Sequence, residues 1–315
     1  MKMATTPLAT HSPFARAPET LGLLLGLLGV LAFSLTLPMT RFAVGELDPW
    51  FLAFGRMAIA GVVAAAWLAA TAAPRPARSD IGLLAWSALG IVIGFPLLSS
   101  LALRHIPANH GAIIVGLLPF ATSLLAALVF KERLSARFWI CATTGSALVI
   151  AFALREGDNH AGGSLVSFGN LAMLAAVFAG AVGYVAGARL STRMGGVAAI
   201  LWALVFALPL TLPVALALTW ANPPHAGLAA WGAFAYVTLV SQLIGFFAWY
   251  NGLALGGIAR IGQVQLLQAF FTIGFAALLF GEHVSTLTWL FAIGVVATIA
   301  LGRGSAVNRL GARNR

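Results

Sequence analysis

The chain has 315 residues, of which 61% are hydrophobic and only 8% are charged. A soluble domain of this size cannot hide so many apolar side chains, so the composition excludes a soluble globular enzyme and a disordered chain. The net charge of +10 comes from only 18 Lys and Arg that lie between apolar runs, and it does not indicate a nucleic-acid partner. With one cysteine, Cys141, no disulfide can form within the chain.

Ten apolar runs follow one another along the chain, each about as long as an α-helix that crosses a bilayer. Polar, Pro or Gly residues separate them. We number them as spans one to ten, at residues 21–40, 50–71, 81–103, 109–130, 138–154, 166–187, 196–220, 227–251, 259–280 and 286–302. The sequence therefore predicts an all-α polytopic membrane protein with ten transmembrane helices, in which the first run is a span and not a cleaved signal peptide.

The distribution of Lys and Arg predicts the orientation, because cytoplasmic loops carry an excess of both. If both termini are cytoplasmic, the outside segments hold only Arg41, Arg104 and Arg155. Arg56 lies inside span two, and the other fourteen basic residues lie on the cytoplasmic side. We therefore expect a multi-pass protein of a bacterial-type inner (plasma) membrane. "Outer end" and "inner end" are used below in this predicted sense.

The second half of the chain repeats part of the first at an offset of 150 residues. Residues 120–147 and 270–297 are identical at 11 of 28 positions, including the pairs Glu132/Glu282, Ser135/Ser285 and Trp139/Trp289. Each unit contains five spans, and an odd number makes the second copy enter the membrane from the opposite side. Such inverted repeats are typical of secondary transporters, which bind substrate near the midplane between the halves.

The predicted domains follow from this repeat. The first five-helix repeat covers 20–154 and the second, inverted one covers 155–302. A cytoplasmic tail, 1–19, precedes them, and a basic cytoplasmic tail, 303–315, follows them.

The end of span four carries a recognisable motif. Residues 116–135, which include Pro119 and a Glu-Arg-Leu turn, resemble a signature of the EamA-type transporters in the drug/metabolite transporter (DMT) superfamily. Residues 279–282 resemble the second copy of that signature, and Arg56 matches an arginine that recurs in span two. The second copy has Gln268 where a proline is usual, so span nine is expected to lack a proline kink.

The resemblance covers about 20–302 and implies a ten-helix basket. Its central cavity would be lined by spans one to four and six to nine, with spans five and ten at the periphery. Relatives in the superfamily export amino acids and other small metabolites. Residues 109–116 are similar to a stretch of bacterial aromatic amino acid exporters.

Arg56 is the ionisable residue that lies clearly within a span. It lies about 6 residues into span two, or ~9 Å below the outer end. Ionisable groups inside a membrane are energetically costly and are usually functional, which favours a counter-ion for a substrate carboxylate or a gate. A structural role stays open, in which Arg56 snorkels or pairs with helix-end carbonyls or with Glu46.

Three polar residues of span nine, Gln265, Gln268 and Thr272, share one helical face because they are spaced i, i+3, i+7. Glutamine side chains that faced lipid would leave donors and acceptors unpaired, so this face must meet protein or a wet cavity. Hydrogen bonds between helices are the alternative to cavity lining.

Other polar, aromatic and proline residues of the spans are further candidates for the cavity: Ser34, Thr36, Pro38, Ser99, Ser100, His110, Pro119, Thr122, Tyr184, Ser241, Gln242, Trp249 and Tyr250. Alternatives stay open for several of them. The prolines can be simple kinks, and Ser99 and Ser100 can bond to their own helix. His110 can be a satisfied interfacial group. Trp249 and Tyr250 can belong to an interfacial aromatic belt.

Several expected absences limit the chemistry. No Asp or Glu lies inside a span, which argues against a carboxylate proton relay. There is no Walker A motif and no His, Cys, Asp or Glu cluster with metal-binding spacing. We therefore expect no enzyme activity, no cofactor and no metal site.

A mostly apolar cavity with amides, hydroxyls and one cation fits a small neutral or zwitterionic solute with an apolar side chain, and does not fit a sugar phosphate. The sequence predicts an exporter of small metabolites that works by alternating access, with neutral or aromatic amino acids as the first candidates. A multidrug or other metabolite exporter stays open, as does, more remotely, a non-transport scaffold or receptor. Its partners would be the substrate and the lipid bilayer, and it could be a monomer or a homodimer.

Overall fold

The computed structural model describes residues 16–130, 167–256 and 264–303, with single positions and short stretches between 136 and 151. Within these residues the regular secondary structure is entirely helical. Seven of the helices are long and apolar enough to cross a membrane: Thr20–Ala43, Pro49–Ala70, Arg78–Leu103, Ala108–Ala126, Phe168–Met194, Gly196–Ala221 and Leu228–Leu253. They coincide with predicted spans one to four and six to eight.

Two shorter apolar helices, Gln268–Phe280 and Thr286–Thr298, coincide with spans nine and ten. Predicted span five lies mostly outside the described residues, so the total of ten stays a prediction. Large apolar side chains such as Leu28, Trp67 and Leu210 are exposed on the outward faces of the bundle. Side chains of this kind are what lipid tails accommodate.

Four of the nine spans described below consist of more than one helical segment. The segments of spans one to four are Arg16–Ser34 with Thr36–Ala43, Pro49–Ala70, Ile81–Ser87 with Phe95–Leu103, and Ala108–Val115 with Leu118–Phe130. The segments of spans six to ten are Phe168–Met194, Gly196–Ala221, Leu228–Ala235 with Gly245–Gly256, Gln268–Phe280, and Thr286–Arg303.

The interruptions in the two halves lie at corresponding positions. A π-helical stretch, Ala88–Gly94, divides span three, and another, Tyr236–Ile244, divides span eight. Span four breaks at 116–117, and span nine contains a 3₁₀ turn, Gln265–Leu267. Each pair is separated by about 150 residues, which is the offset of the sequence repeat. Such irregular turns inside helices are frequent at functional sites.

Span nine is irregular at Gln265–Leu267 although it has no proline at these positions. The Gln268 N–H donates to the Gln265 carbonyl, which is the tighter i to i+3 bond of a 3₁₀ turn, and the α-helix begins at Gln268. A change of hydrogen-bond pattern replaces the proline.

Capping residues fix two of the outer turns. Asp48 precedes span two, and its carboxylate accepts from the Trp50 and Phe51 N–H groups at 2.9 and 3.0 Å. Gly281 ends span nine with a φ of 65°, a left-handed conformation that glycine adopts without a steric penalty. This turn directs the chain so that Glu282 reaches span four, as described below.

Helices from the two halves of the chain pair with one another. Span one packs on span eight, span three on span six, span two on span seven, and span four on span nine. Small residues allow the closest approaches, as in other membrane bundles. Gly26 meets Gly252 where spans one and eight cross, and Gly90 meets Gly183 where spans three and six cross.

The contact between spans one and eight gives a stability prediction. A Cβ added at Gly252 would lie 2.7 Å from the Gly26 nitrogen and 3.0 Å from the Gly22 carbonyl oxygen. Because both are backbone atoms, relief requires the helices to move apart. We expect Gly252→Ala to destabilise the protein by about 1–3 kcal/mol, measured as a lower melting temperature in detergent.

Gly232→Ala is the matched control, because it lies in the same span and an added Cβ there meets nothing within 4 Å. Its helix propensity improves by up to ~1 kcal/mol, so its melting temperature should hold or rise. Equal melting temperatures for the two variants would contradict the close-packing account.

Candidate functional site

Two small adjoining cavities lie between the two halves of the chain. The Arg56 cavity is lined by Phe33, Thr36, Leu37, Arg56, Ile91, Phe95, Leu118, Tyr184, Ser241, Gln242, Phe246 and Gln268. The Gln265 cavity is lined by Leu37, Ala112, Val115, Gly116, Leu118, Gln265, Gln268, Ala269, Thr272 and Val296. The space that the centre of a water molecule can occupy is about 30 Å³ in the Arg56 cavity and about 20 Å³ in the Gln265 cavity. Each has room for one or two waters, so this is a closed conformation.

Arg56 lies at the polar side of its cavity and is only 2% exposed. Its Nη2 donates to Gln242 Oε1 at 2.8 Å and to Ser241 Oγ at 3.5 Å. The Ser241 hydroxyl in turn shares a hydrogen bond of 2.8 Å with Thr36 Oγ1. This chain of polar contacts joins spans one, two and eight at the level of the π-helical stretch of span eight.

The pairing of Arg56 with Glu46 that the sequence left open does not form. Glu46 Oε2 instead accepts from the Gly227 N–H at 2.6 Å, at the outer end. Within the described part of the chain, the side-chain ion pair is that of Arg193 with Asp80, at 2.5 Å, and no carboxylate lies within ion-pair distance of Arg56.

Several buried donors around the two cavities have no hydrogen-bond partner among the described residues. They are the Nε and Nη1 of Arg56 and the Nε2 atoms of Gln242 and Gln265. Each of these atoms can donate but not accept. A buried donor left unpaired costs roughly 1–3 kcal/mol, and more when it is charged. The polar side of the site is therefore rich in donors and positively charged.

The three polar residues that the sequence predicts on one face of span nine lie together in the structure. Gln265, Gln268 and Thr272 all line the Gln265 cavity, and Gln268 also lines the Arg56 cavity. Tyr184 of span six and Gln268 of span nine both line the Arg56 cavity. The Ser34 hydroxyl donates to the Val30 carbonyl at 2.7 Å and approaches the Gln268 carbonyl at 3.4 Å.

Other predicted residues lie away from both cavity linings. The hydroxyls of Ser99, Ser100 and Thr122 donate to carbonyls one turn earlier in their own helices, at 2.6, 2.7 and 2.8 Å. Pro38 is buried within span one without lining either cavity. The side chain of Pro119 lies outside the description, although its backbone belongs to span four.

His110 lies near the outer end of span four, where its Nε2 is 2.9 Å from Asn170 Oδ1. Both residues are buried. The contact joins spans four and six and gives the imidazole a polar partner. Asn170 was not singled out from the sequence, because one amide four residues into an apolar run carries no distinguishing pattern.

Trp249 and Tyr250 lie inside the bundle and not at its surface. They are 3% and 1% exposed. Trp249 packs against Gly29 of span one, and Tyr250 packs against Gly187 and Gly196. Neither lines the Arg56 cavity or the Gln265 cavity. Their rings contact Phe33 and Phe246, with centroids 6.3 and 5.4 Å apart, so they support the inner side of the Arg56 cavity.

The aromatic wall of the Arg56 cavity is the part that the sequence did not identify. Phe33, Phe95 and Phe246 line it, and the Phe33 and Phe246 rings lie 4.9 Å apart. The chain contains 21 Phe, most of them within spans, and no periodicity separates cavity-facing from lipid-facing rings. Only helix packing selects these three.

A charged contact closes the outer end between spans four and nine. The Glu282 carboxylate accepts from the Ala108 and Asn109 N–H groups at 2.8 and 2.9 Å, at the first turn of span four. The Asn109 side chain donates to the His283 carbonyl at 3.0 Å. The free N–H groups and the dipole of a helix N-terminus favour a carboxylate there. We name this set the Glu282 contact.

Membrane-length apolar helices packed around a closed cavity with a buried cation define a polytopic membrane protein of the transporter class. The chain belongs to the EamA-like transporter family, whose model matches it twice, at residues 20–154 and 167–302. It is a transporter of this family, within the DMT superfamily, and the resemblance drawn from span four is confirmed.

Known proteins of similar sequence carry transporter names. The chain is 44% identical to the "Uncharacterized transporter YdeK" of Bacillus subtilis (strain 168), over 90% of this chain and 97% of that protein. It is 26% identical to the "Uncharacterized transporter sll0355" of Synechocystis sp., over 78% of this chain and 79% of that protein. A solved crystal structure with a TM-score of 0.61 and 19% identity covers 94% of this chain and 99% of its own, which shows the fold alone.

The Glu282 contact gives a prediction about access to the cavity. In Glu282→Gln an amide nitrogen replaces one acceptor oxygen and faces a backbone N–H, so the closed outer end is weakened. We expect maleimide labelling of Thr272→Cys, in a Cys141→Ser background, to become several-fold faster when Glu282→Gln is added. Labelling of the detergent-purified protein, followed by mass spectrometry, measures the rate.

His225→Asn is the control, because His225 is exposed in another loop of the same end. It should leave the labelling rate unchanged. Equal rates for Glu282→Gln and the parent would show that this contact does not control closure.

Proposed function

We propose that this transporter moves small neutral or aromatic amino acids across the inner membrane by alternating access, in the direction of export. The observation that carries the proposal is the closed Arg56 cavity, which lies between the two halves and combines aromatic walls with amide and hydroxyl groups. A zwitterion with an apolar side chain matches that combination. The direction of export rests on the superfamily resemblance.

The proposal assumes two inverted five-helix repeats, and three observations support this. The family model matches the chain twice. The interruptions of spans three and four recur about 150 residues later in spans eight and nine. Exchanging the two five-span units turns the pair of spans one and eight into the pair of spans six and three, and both pairs are present. The same exchange leaves the pair of spans two and seven and the pair of spans four and nine unchanged. A two-fold axis in the membrane plane relates such pairs.

Alternating access requires that each end opens in turn, and the contacts at the two ends differ in kind. The outer end is closed by the Glu282 contact. At the inner end, Asp80 and Arg193 pair at 2.5 Å between spans three and six, and Gly26 packs against Gly252 between spans one and eight. All of these contacts join the first half of the chain to the second. Separating the halves at either end would open the cavity to that side.

The direct test is counterflow in proteoliposomes with a panel of labelled amino acids that includes phenylalanine, leucine, alanine, lysine and glutamate. We expect uptake of the apolar members to exceed that of lysine and glutamate, because the cavity contains one cation and is otherwise mostly apolar. Protein-free liposomes give the background. Absence of counterflow for every member would contradict the proposed substrate.

Gln268 tests the site itself, because it lines both cavities. Gln268→Ala should lower counterflow by about tenfold while the melting temperature changes little, since the residue is half-buried at a cavity and is not part of the packed core. Thr219→Ala is the control. Thr219 is exposed and lines neither cavity, and its hydroxyl bonds to its own helix, at 2.8 Å from the Ala215 carbonyl oxygen. Normal flux in Gln268→Ala would remove span nine from the site.

A further inference from the structure

We infer that Arg56, Gln242 and Gln265 form a carboxylate-binding subsite, and that the cavity selects solutes with an apolar body and one carboxylate whether or not they carry an amino group. The inference rests on the proposed function in that it names the chemical group that the transport site recognises. It would extend the substrates from amino acids to apolar monocarboxylates of the same size.

The first step is the missing counter-ion. The Arg56 guanidinium is charged and 2% exposed, and within the described residues no carboxylate lies within ion-pair distance of it. A buried charge without a partner is strongly unfavourable, and proteins that retain one generally use it. An anionic group on the substrate supplies the partner that the described protein does not.

The second step is the geometry of the free donors. Gln242 and Ser241 hold Nη2, which fixes the guanidinium plane, and Thr36 holds Ser241 in turn. Nε and Nη1 are left without a partner. Nε and Nη1 lie on different edges of the guanidinium, and the N–H groups of each can donate a charge-assisted hydrogen bond to a carboxylate oxygen.

The third step is the excess of donors over acceptors. The Oε1 of Gln242 is used by Arg56, so its Nε2 remains as a free donor beside the guanidinium. The Nε2 of Gln265 is a further free donor in the adjoining cavity. An ionised carboxylate only accepts hydrogen bonds, whereas an ammonium group only donates them. The unpaired donor atoms can therefore hydrogen-bond to a carboxylate, and they cannot accept a hydrogen bond from an ammonium group.

The fourth step concerns the rest of the solute. Neither cavity lining contains an Asp or Glu that would pair with an ammonium group. Phe33, Phe95 and Phe246 supply aromatic surface to the same cavity lining. One cation suffices for a carboxylate but not for a phosphate ester, which carries close to two charges. An apolar monocarboxylate therefore matches the cation, the free donors and the aromatic side chains of the cavity.

The test compares ligands that differ only in their charged groups, with binding measured by thermal shift of the purified protein in nanodiscs. The phenylalanine series is phenylalanine, 3-phenylpropanoate, phenylalaninamide and 2-phenylethylamine, and leucine with its three counterparts forms a second series. We expect both acids of at least one series to bind with similar affinity, and the amide and the amine at least tenfold more weakly.

Variants then assign the effect to the subsite. Arg56→Gln should lose acid binding by tenfold or more, and Arg56→Lys should recover part of it, because lysine keeps the charge but not the planar fork. Arg75→Gln is the control, since it removes an exposed arginine from the segment between spans two and three. If Arg56→Gln does not fold, the ligand series on the unaltered protein still decides.

The outcomes separate this inference from the proposed function. Acids that bind through Arg56 while no amino acid shows counterflow would leave the subsite standing and overturn the proposed transport. Amino acid counterflow that the amide and amine inhibit as strongly as the acids would leave transport standing and overturn the subsite. The inference is also overturned if amino acids bind but neither of their counterparts without the amino group does. It fails likewise if acids bind equally well to Arg56→Gln, or if no acid binds.

Discussion

A guanidinium buried inside a membrane bundle is a demanding group to accommodate, and the Arg56 site is built around it. One of its nitrogens is held by Gln242 and Ser241 of span eight, and Ser241 is held by Thr36 of span one. Spans one and two belong to the first half of the chain and span eight to the second. The charge therefore ties the halves together at the level where the cavity lies, while two of its nitrogens remain without a described partner.

The bundle around this charge combines two kinds of contact. Glycines bring backbones together where spans one and eight and spans three and six cross, and such packing is strong only at short distance. Polar contacts at the ends, such as Glu282 on the N-terminus of span four, are few and directional. The alternating access proposed above would require the contacts at one end of the bundle to separate together. The irregular turns beside the cavity place polar side chains there without a proline in every span.

Much of the site was accessible from the sequence because polarity inside an apolar helix is a strong signal. Arg56, the span-nine face of Gln265, Gln268 and Thr272, and the pair Ser241 and Gln242 were all identified in this way, and the structure places them at the two cavities. Ser99, Ser100 and Thr122 carried the same signal but bond to their own helices. A hydroxyl has that local alternative, whereas the longer glutamine and arginine side chains do not.

The sequence by itself determined the class of protein, the limits of most spans and the position of the one charge within a span, because each follows from local hydropathy and length. It also determined the family, through the motif after span four and its second copy. Only the tertiary structure decided which neighbours Arg56 meets, that Trp249 and Tyr250 are packed inside the bundle, and which three of 21 phenylalanines face the cavity. These depend on how helices far apart in the chain cross, and in a uniformly apolar helix no periodicity records which face meets protein and which meets lipid.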